Sequence, residues 1–144
     1  EALAAHPAVA FVGAIGQPDA KVGEMPCAYV ELNAGASVTT EELLEFAEEH
    51  VAERAAIPKY IEILDELPKT AVGKVFKPDL RRLAITRTYS AALEKAGIGA
   101  SVSAVIEDKK RGLVAQLTKD DAEPSDDAIK DVLGKFIRPW EWSS

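Results

Sequence analysis

Cysteine and histidine are scarce, which limits the kinds of site that the sequence can build. Its 144 residues include one cysteine, Cys27, and two histidines, His6 and His50. An internal disulfide is therefore excluded, and because neither histidine has a metal-binding neighbour at ligand spacing, we expect no metal site. Cys27 lies in the apolar run CAYVEL, so we predict a buried structural thiol. Both histidines are expected to be solvated or helix-capping.

Long apolar runs are also missing. No stretch of about 18 consecutive apolar residues occurs, which predicts that the chain has no transmembrane segment. The opening residues, EALAAHPAVAFVGAIG, have neither the basic lead nor the small-residue cleavage site of a signal peptide, so we expect a cytoplasmic protein. The first residue is glutamate instead of methionine, and we expect the chain to be a piece of a longer one.

Acidic residues outnumber basic ones. The formal net charge is −7, and 47% of the residues are hydrophobic, a composition typical of a soluble globular protein. A nucleic-acid-binding domain would need basic residues spread over one face with aromatic residues between them. Only two aromatic residues, Phe76 and Tyr89, lie near the basic residues of segment 69–87. We therefore expect no nucleic-acid partner.

Apolar periodicity predicts the elements of the first half of the chain. Short β-rich runs bounded by turn residues are typical of strands. These strands cover residues 9–15, 27–32 and 60–64. Before the third strand, Thr39 and Glu42 form a capping box, and apolar residues then recur at helical spacing from Leu43 to Ala55. The pattern predicts a helix over that stretch.

The second half predicts a longer helix and then an extension. Pro78 suits the first turn of a helix that reaches Gly97. A hairpin around the turn DKKRG follows, with strands at 101–107 and 113–118, and then a short helix with Ser125 at its cap. For the ending FIRPWEW we favour a strap packed on the protein's own core over a docking surface.

These elements predict an α+β fold, a small sheet of short strands flanked by helices with a C-terminal hairpin-plus-helix extension. We place the domain boundary after Gly97. The first domain would cover residues 1–97, and the extension subdomain would cover residues 98–144. The order of elements alone assigns no role to the extension.

Positive charge is concentrated in residues 69–87. Six basic side chains against the single acid Asp79 give this segment a net charge of +5, which leaves −12 on the rest of a chain whose total is −7. Such a field favours an anionic ligand. A solvated helix start whose cations pair with the acidic helix at 41–53 is the alternative. A phosphate-binding P-loop is excluded, because Pro68 and Val75 stand where its first glycine and its Ser or Thr would be.

A further interpretation is a mobile loop that presents one lysine to an active site. Gly73 permits backbone conformations that are closed to other residues. Lys74, next to it, ends in a compact charge with three hydrogen-bond donors. Such a cation can bridge a substrate carboxylate and a nucleotide phosphate.

The segment PKTAVGKVFKPDLRR resembles the closing motif of the superfamily of acyl- and aryl-CoA synthetases, adenylation domains and luciferases. In that motif Pro-Lys-Thr, a short spacer and Gly-Lys end in a basic helix start. The resemblance continues upstream through the His-Pro-x-Val strand, the Pro-Asp turn and Gly-Glu, and it covers roughly residues 1–86. The chain is thereby identified as resembling the C-terminal domain of an AMP-forming acyl-CoA synthetase, a lid that closes over a much larger N-terminal nucleotide-binding domain.

The resemblance implies a two-step reaction. A carboxylate and ATP give an acyl-adenylate and pyrophosphate, and coenzyme A then gives the thioester and AMP. Lys74 stands at the position of the family's adenylation lysine, Thr70 and Gly73 would shape its loop, and Lys69 would be solvated. The missing large domain would bind Mg²⁺ with ATP. ATP or AMP and coenzyme A would act in the full-length enzyme, and none would be held tightly here.

The implied function is that of a ligase for fatty or other apolar acids, and hence of fatty acid metabolism, with the isolated domain inert. Two alternatives stay open. The chain could be part of a peptide-synthetase adenylation domain, which differs in its final acceptor. It could also be a non-catalytic interaction domain whose basic loop docks an acidic partner.

Overall fold

The predicted α+β class is confirmed. A computed structural model describes residues 3–51, 53, 56–119, 126–136 and 138–142. Their elements, in order, are a 3-10 turn Leu3–Ala5, β1 Val9–Asp19, β2 Gly23–Leu32, α1 Thr40–His50, β3 Tyr60–Leu64, α2 Lys77–Lys95, β4 Ala100–Asp108, β5 Gly112–Lys119, α3 Asp126–Leu133 and β6 Trp140–Trp142.

These elements belong to two compact units. The first contains the residues up to Gly16 together with Met25–Arg81, and the second contains Gln17–Glu24 together with the residues from Arg82 onward. The domain boundary after Gly97 stays a prediction. Among the described helices, none has the length and apolar character needed to cross a membrane.

The first unit is built on the sheet β1-β2-β3. Strands β2 and β3 run parallel, with Cys27 opposite Tyr60 and Glu31 opposite Leu64, so α1 lies in the crossover that parallel strands require. The sheet and α1 share one apolar core, formed by Leu3, Val9, Ala28, Val30, Leu43, Ala47 and Ile61. Cys27 is 1% exposed, which confirms the predicted buried thiol.

Helix α1 begins as predicted but ends earlier. Thr39 Oγ1 accepts a hydrogen bond from Glu42 N at 3.1 Å, and Glu42 Oε1 accepts one from Thr39 N at 3.2 Å, which confirms the capping box. The helix ends at His50, because the next residue, Val51, has an extended backbone with φ −90° and ψ 117°. Ala55, the last apolar position of the predicted helix, lies outside the described residues.

Both histidines have local roles of the expected kind. His6 Nδ1 accepts a hydrogen bond from Ala8 N at 3.0 Å, just before β1 begins. His50 is exposed at the end of α1, and its ring stacks on Phe46 with the ring centroids 3.9 Å apart.

The first two strands are longer than predicted. Asp19 Oδ2 accepts hydrogen bonds from Lys21 N at 2.9 Å and Val22 N at 3.0 Å, and Gly23 adopts φ +88°. These groups reverse the chain at residues 19–23, since an aspartate turn and a left-handed glycine suffice for a tight connection. The turn thus begins after Pro18, and Pro18 lies inside β1. A proline is tolerated there because β1 is an edge strand.

The second unit contains the sheet β4-β5-β6. Strands β4 and β5 form the predicted antiparallel hairpin, and β6 runs parallel to β5 with Gln116 opposite Glu141. The fully buried members of its core come from α2, the sheet and α3: Tyr89, Leu93, Ala115, Leu117, Ile129 and Leu133. The terminal strap thus packs on its own core as a third strand. Ser125, the predicted cap of α3, lies outside the described residues.

Tyr89 ties α2 to the segment that leads into β6. Its side chain is fully buried, and its hydroxyl donates to the Arg138 carbonyl at 2.8 Å and accepts from the Arg138 N–H at 3.0 Å. Burial of the hydroxyl raises the pKa of Tyr89 to about 12. One phenol therefore satisfies both backbone groups of Arg138.

We expect Tyr89→Phe to lower the free energy of unfolding by about 2 kcal/mol at neutral pH, because it leaves two backbone groups unpaired. The folded-state pKa of Tyr89 lies above its ordinary value of 10.0, so the native protein should lose stability as the pH rises from about 10 through about 12. Urea unfolding of both proteins across this range checks the prediction. A constant stability difference between them would contradict it.

Candidate functional site

The segment between β3 and α2 forms a small hairpin, residues 69–75. Lys69 and Val75 face each other in an antiparallel pair. Two hydrogen bonds flank this pair, Thr70 N to Lys74 O at 2.7 Å and Phe76 N to Pro68 O at 2.8 Å. The basic segment is therefore held by backbone pairing at its base.

The tip of the hairpin is a turn closed by Gly73. Gly73 N donates to Thr70 O at 2.9 Å, and Gly73 has φ +86°, the arrangement of a three-residue hairpin loop that ends in a left-handed glycine. Thr70 Oγ1 accepts a further hydrogen bond from Lys74 N at 3.3 Å. The structure thus brings the three sequence-predicted site residues, Thr70, Gly73 and Lys74, into one turn.

The two sides of the hairpin differ in exposure. Side chains alternate across a paired segment, so Lys69 and Val75 lie on one side while Thr70 and Lys74 lie on the other. The first pair is partly buried and the second is exposed. Within the part of the chain that the structure describes, no residue forms a hydrogen bond or ion pair with the Lys74 ammonium.

Lys69 is held in place, so the prediction that it is solvated is wrong. Its Nζ lies 2.6 Å from Glu31 Oε1 and 3.3 Å from Leu67 O, and it sits 4.4 Å from the centroid of the Phe11 ring. The hydrogen bond from Lys69, together with one from Leu67 N at 2.9 Å, holds the pKa of Glu31 below its ordinary value of 4.5.

Other cations of the basic segment also have partners outside the acidic helix α1. Arg82 lies 3.9 Å from Glu107, and Arg87 donates to Gln17 at 2.8 Å. These contacts belong to the second unit. They give the two arginines structural partners in their own unit, whereas the Lys74 ammonium in the first unit has no partner among the described residues.

Of the two lysines in the hairpin, Lys69 is partly buried and Lys74 is exposed, so the hairpin presents one cation to solvent. No three His, Cys, Asp or Glu side chains converge anywhere in the described ranges in a way that could hold a metal ion. An ammonium on a short, backbone-paired turn can instead donate to oxygens of an anionic ligand. Its flexible stem allows it to reach away from its own unit.

A model of the protein family described as "AMP-binding enzyme C-terminal domain" matches residues 1–74, more than half of the chain, with Lys74 as the last matched residue. The chain belongs to this family.

Several relatives of this AMP-binding C-terminal domain are named as CoA ligases or synthetases. Marinolic acid–CoA ligase of Pseudoalteromonas sp. (strain SANK 73390) is 42% identical over 85 residues, which cover 59% of this chain and 13% of that protein. The solved Mycobacterium tuberculosis fatty acyl CoA synthetase is 30% identical with a TM-score of 0.51, over 62% of this chain and 16% of that one. The anthranilate CoA ligase AuaEII in complex with anthranoyl-AMP is 31% identical with a TM-score of 0.54, over 60% of this chain and 17% of that one. The chain therefore spans only 13% to 17% of these proteins.

We expect Gly73→Ala to distort the tip of the hairpin in this AMP-binding C-terminal domain. The position has open space around it, so the cost of about 1 kcal/mol comes from the left-handed backbone alone. Gly35→Ala is a matched control, since Gly35 has φ +78° and equally open surroundings. Both changes should lower stability similarly in urea unfolding, but only Gly73→Ala should shift the amide NMR signal of Lys74. An unshifted signal would contradict this account of the turn.

Proposed function

We propose that the chain is the lid domain of an AMP-forming acyl-CoA synthetase, and that Lys74 serves the adenylation step. Family membership supports the first part. The second part is supported by the hairpin, which presents Lys74 on its exposed side with no partner among the described residues. The projecting ammonium is the observation on which the proposal depends.

In the proposed first step, a carboxylate oxygen of the substrate attacks the α-phosphorus of ATP, and the bond from that phosphorus to the pyrophosphate oxygen breaks. Two anionic reactants must approach each other, so a cation between them lowers the barrier. Lys74 would donate hydrogen bonds to the carboxylate and to an α-phosphate oxygen. The hairpin would hold the backbone of Lys74 in a fixed position on the lid.

In the proposed second step, the sulfur of coenzyme A attacks the acyl carbon, the thiol proton leaves, and AMP departs. Lys74 is not needed for this exchange, so the lid can withdraw it once the adenylate has formed. The residues of the hairpin suit an anionic substrate group and offer no cluster of carboxylates. Mg²⁺ that accompanies ATP would therefore be held by the large N-terminal domain, the proposed partner of this one.

Fatty or other apolar acids are the proposed substrates. The similarity to a fatty acyl CoA synthetase supports this class. Coenzyme A as acceptor is favoured over a carrier domain, because the similar proteins described above are named as CoA ligases or synthetases.

We expect the 144-residue chain alone to form no acyl-CoA from ATP, coenzyme A and a fatty acid. The reason is that one cation without the remaining binding surfaces neither positions the reactants nor binds the nucleotide tightly. Thioester formation followed by mass spectrometry checks this, with the full-length parent enzyme as the positive control. Turnover by the chain alone would contradict the assignment as a lid. A full-length parent enzyme that adenylates acids but transfers them only to a carrier protein would favour the peptide-synthetase alternative.

A further inference from the structure

Glu31 and Lys69 connect the hairpin to the sheet of the first unit. Glu31 lies near the end of β2, and its Oε1 accepts hydrogen bonds from both Lys69 Nζ at 2.6 Å and Leu67 N at 2.9 Å. The two charged side chains are only 17% and 19% exposed. One carboxylate oxygen of Glu31 thus holds the segment that leads into the hairpin in two ways, through the backbone of Leu67 and through the side chain of Lys69.

The side of the hairpin on which this pair lies determines where Lys74 points. Lys69 and Val75 face inward together, and Thr70 and Lys74 face outward. A shift of the pairing by one residue would exchange the two sides. An ion pair on the inner side therefore opposes any register that turns Lys74 inward.

Lys69 is poorly placed to serve as a second ligand for an anion. Its ammonium is neutralised by Glu31, also donates to the Leu67 carbonyl, and lies over the ring of Phe11. Release of this cation would leave Glu31 partly buried without its countercharge, which is unfavourable. The two lysines of the Pro-Lys-Thr…Gly-Lys segment therefore have different functions.

We propose that Glu31 and Lys69 are positioning residues, whose ion pair fixes the register of the hairpin so that Lys74 projects outward. The inference rests on the proposed function of Lys74. The pair itself contacts no reactant. It raises the fraction of time in which the ammonium of Lys74 occupies its outward position.

Amide hydrogen exchange in the 144-residue chain tests the pair without any assay of activity. In Glu31→Gln the ammonium of Lys69 loses its countercharge, and we expect the amides of Thr70 and Phe76, which close the hairpin, to exchange roughly tenfold faster. Glu107→Gln is the control, since it changes a paired carboxylate on β4, in the other unit. Equal exchange of the two amides in both variants would overturn the proposal.

Kinetics of the full-length parent test the consequence for Lys74. Lys69→Met should lower kcat for ATP–pyrophosphate exchange roughly tenfold and leave the KM for ATP nearly unchanged. The reason is that Lys74 is misplaced while the nucleotide site is intact. Lys69→Arg retains a cation that can pair with Glu31 and should recover most of the rate. Equal rates in the two variants, or a loss explained by the amount of folded enzyme, would count against positioning.

Lys74→Ala separates failure of this inference from failure of the proposed function. If Lys74→Ala abolishes adenylation and Lys69→Met does not, the positioning role of the pair is wrong and the function of Lys74 stands. If Lys74→Ala leaves adenylation intact, the proposed function is wrong, and amide exchange alone decides whether Glu31 and Lys69 hold the hairpin.

Discussion

Lys74→Ala in the full-length parent should lower the rate of adenylation by about 10² to 10³, the usual cost of removing one donor that stabilises charge in a transition state. The expectation follows from the geometry of the hairpin, which leaves the ammonium exposed and without a partner among the described residues. ATP–pyrophosphate exchange measures this half-reaction. Thioester formation from preformed acyl-adenylate should remain largely intact, because in the proposed mechanism the second step does not use the lysine.

Lys77→Ala is the matched control for this experiment. Lys77 is also an exposed lysine of the basic segment, but it lies at the start of α2 and outside the hairpin. The substitution Lys77→Ala removes the same charge as Lys74→Ala but leaves the hairpin unchanged. We therefore expect the adenylation rate of Lys77→Ala to stay close to that of the parent enzyme. Similar losses in both variants would show that the net charge of the segment matters and that the position of Lys74 does not. Equal loss of both half-reactions in Lys74→Ala would also remove the lysine from its proposed role.

Local sequence patterns predicted the elements that depend on neighbouring residues. The capping box at Thr39 and Glu42 is an interaction across one helical turn, and the hairpin β4–β5 depends on the short turn Asp108–Gly112. Both are confirmed because their determinants lie within a few positions of each other. The turn that carries Lys74 has the same local character, although the lysine's role remains a proposal.

The contacts that sequence patterns missed join distant parts of the chain. Glu31 and Lys69 are 38 positions apart, and a single acid in an apolar strand does not indicate its partner. The Tyr89 hydroxyl likewise finds Arg138 at a separation of 49. The sequence predicts only a strap where β6 forms, because the three residues of this strand are too few for a periodicity signal. Such pairs are decided by tertiary packing.

Gly13 is a second position at which a large effect is expected. It lies in β1 where a Cβ atom would come within 3.0 Å of the Val75 side chain and closer still to Leu80, which is fully buried. Val75 is the cross-strand partner of Lys69. The strand therefore needs a residue without a side chain here, so that the base of the hairpin and the start of α2 can pack against it.

We expect Gly13→Val to lower the free energy of unfolding by about 3 kcal/mol, because a tightly packed site cannot absorb the added methyl groups without moving Leu80 or the hairpin. Urea unfolding of the chain measures the loss, and faster exchange of the Thr70 amide would locate the disturbance at the hairpin.

Ala14→Val is the control, since Ala14 is the next residue and lines a cavity of about 310 Å³ within the first unit. The added groups have space there, so stability should change little. If Gly13→Val were as stable as Ala14→Val, close packing of β1 against Val75 and Leu80 could not be what supports the base of the hairpin.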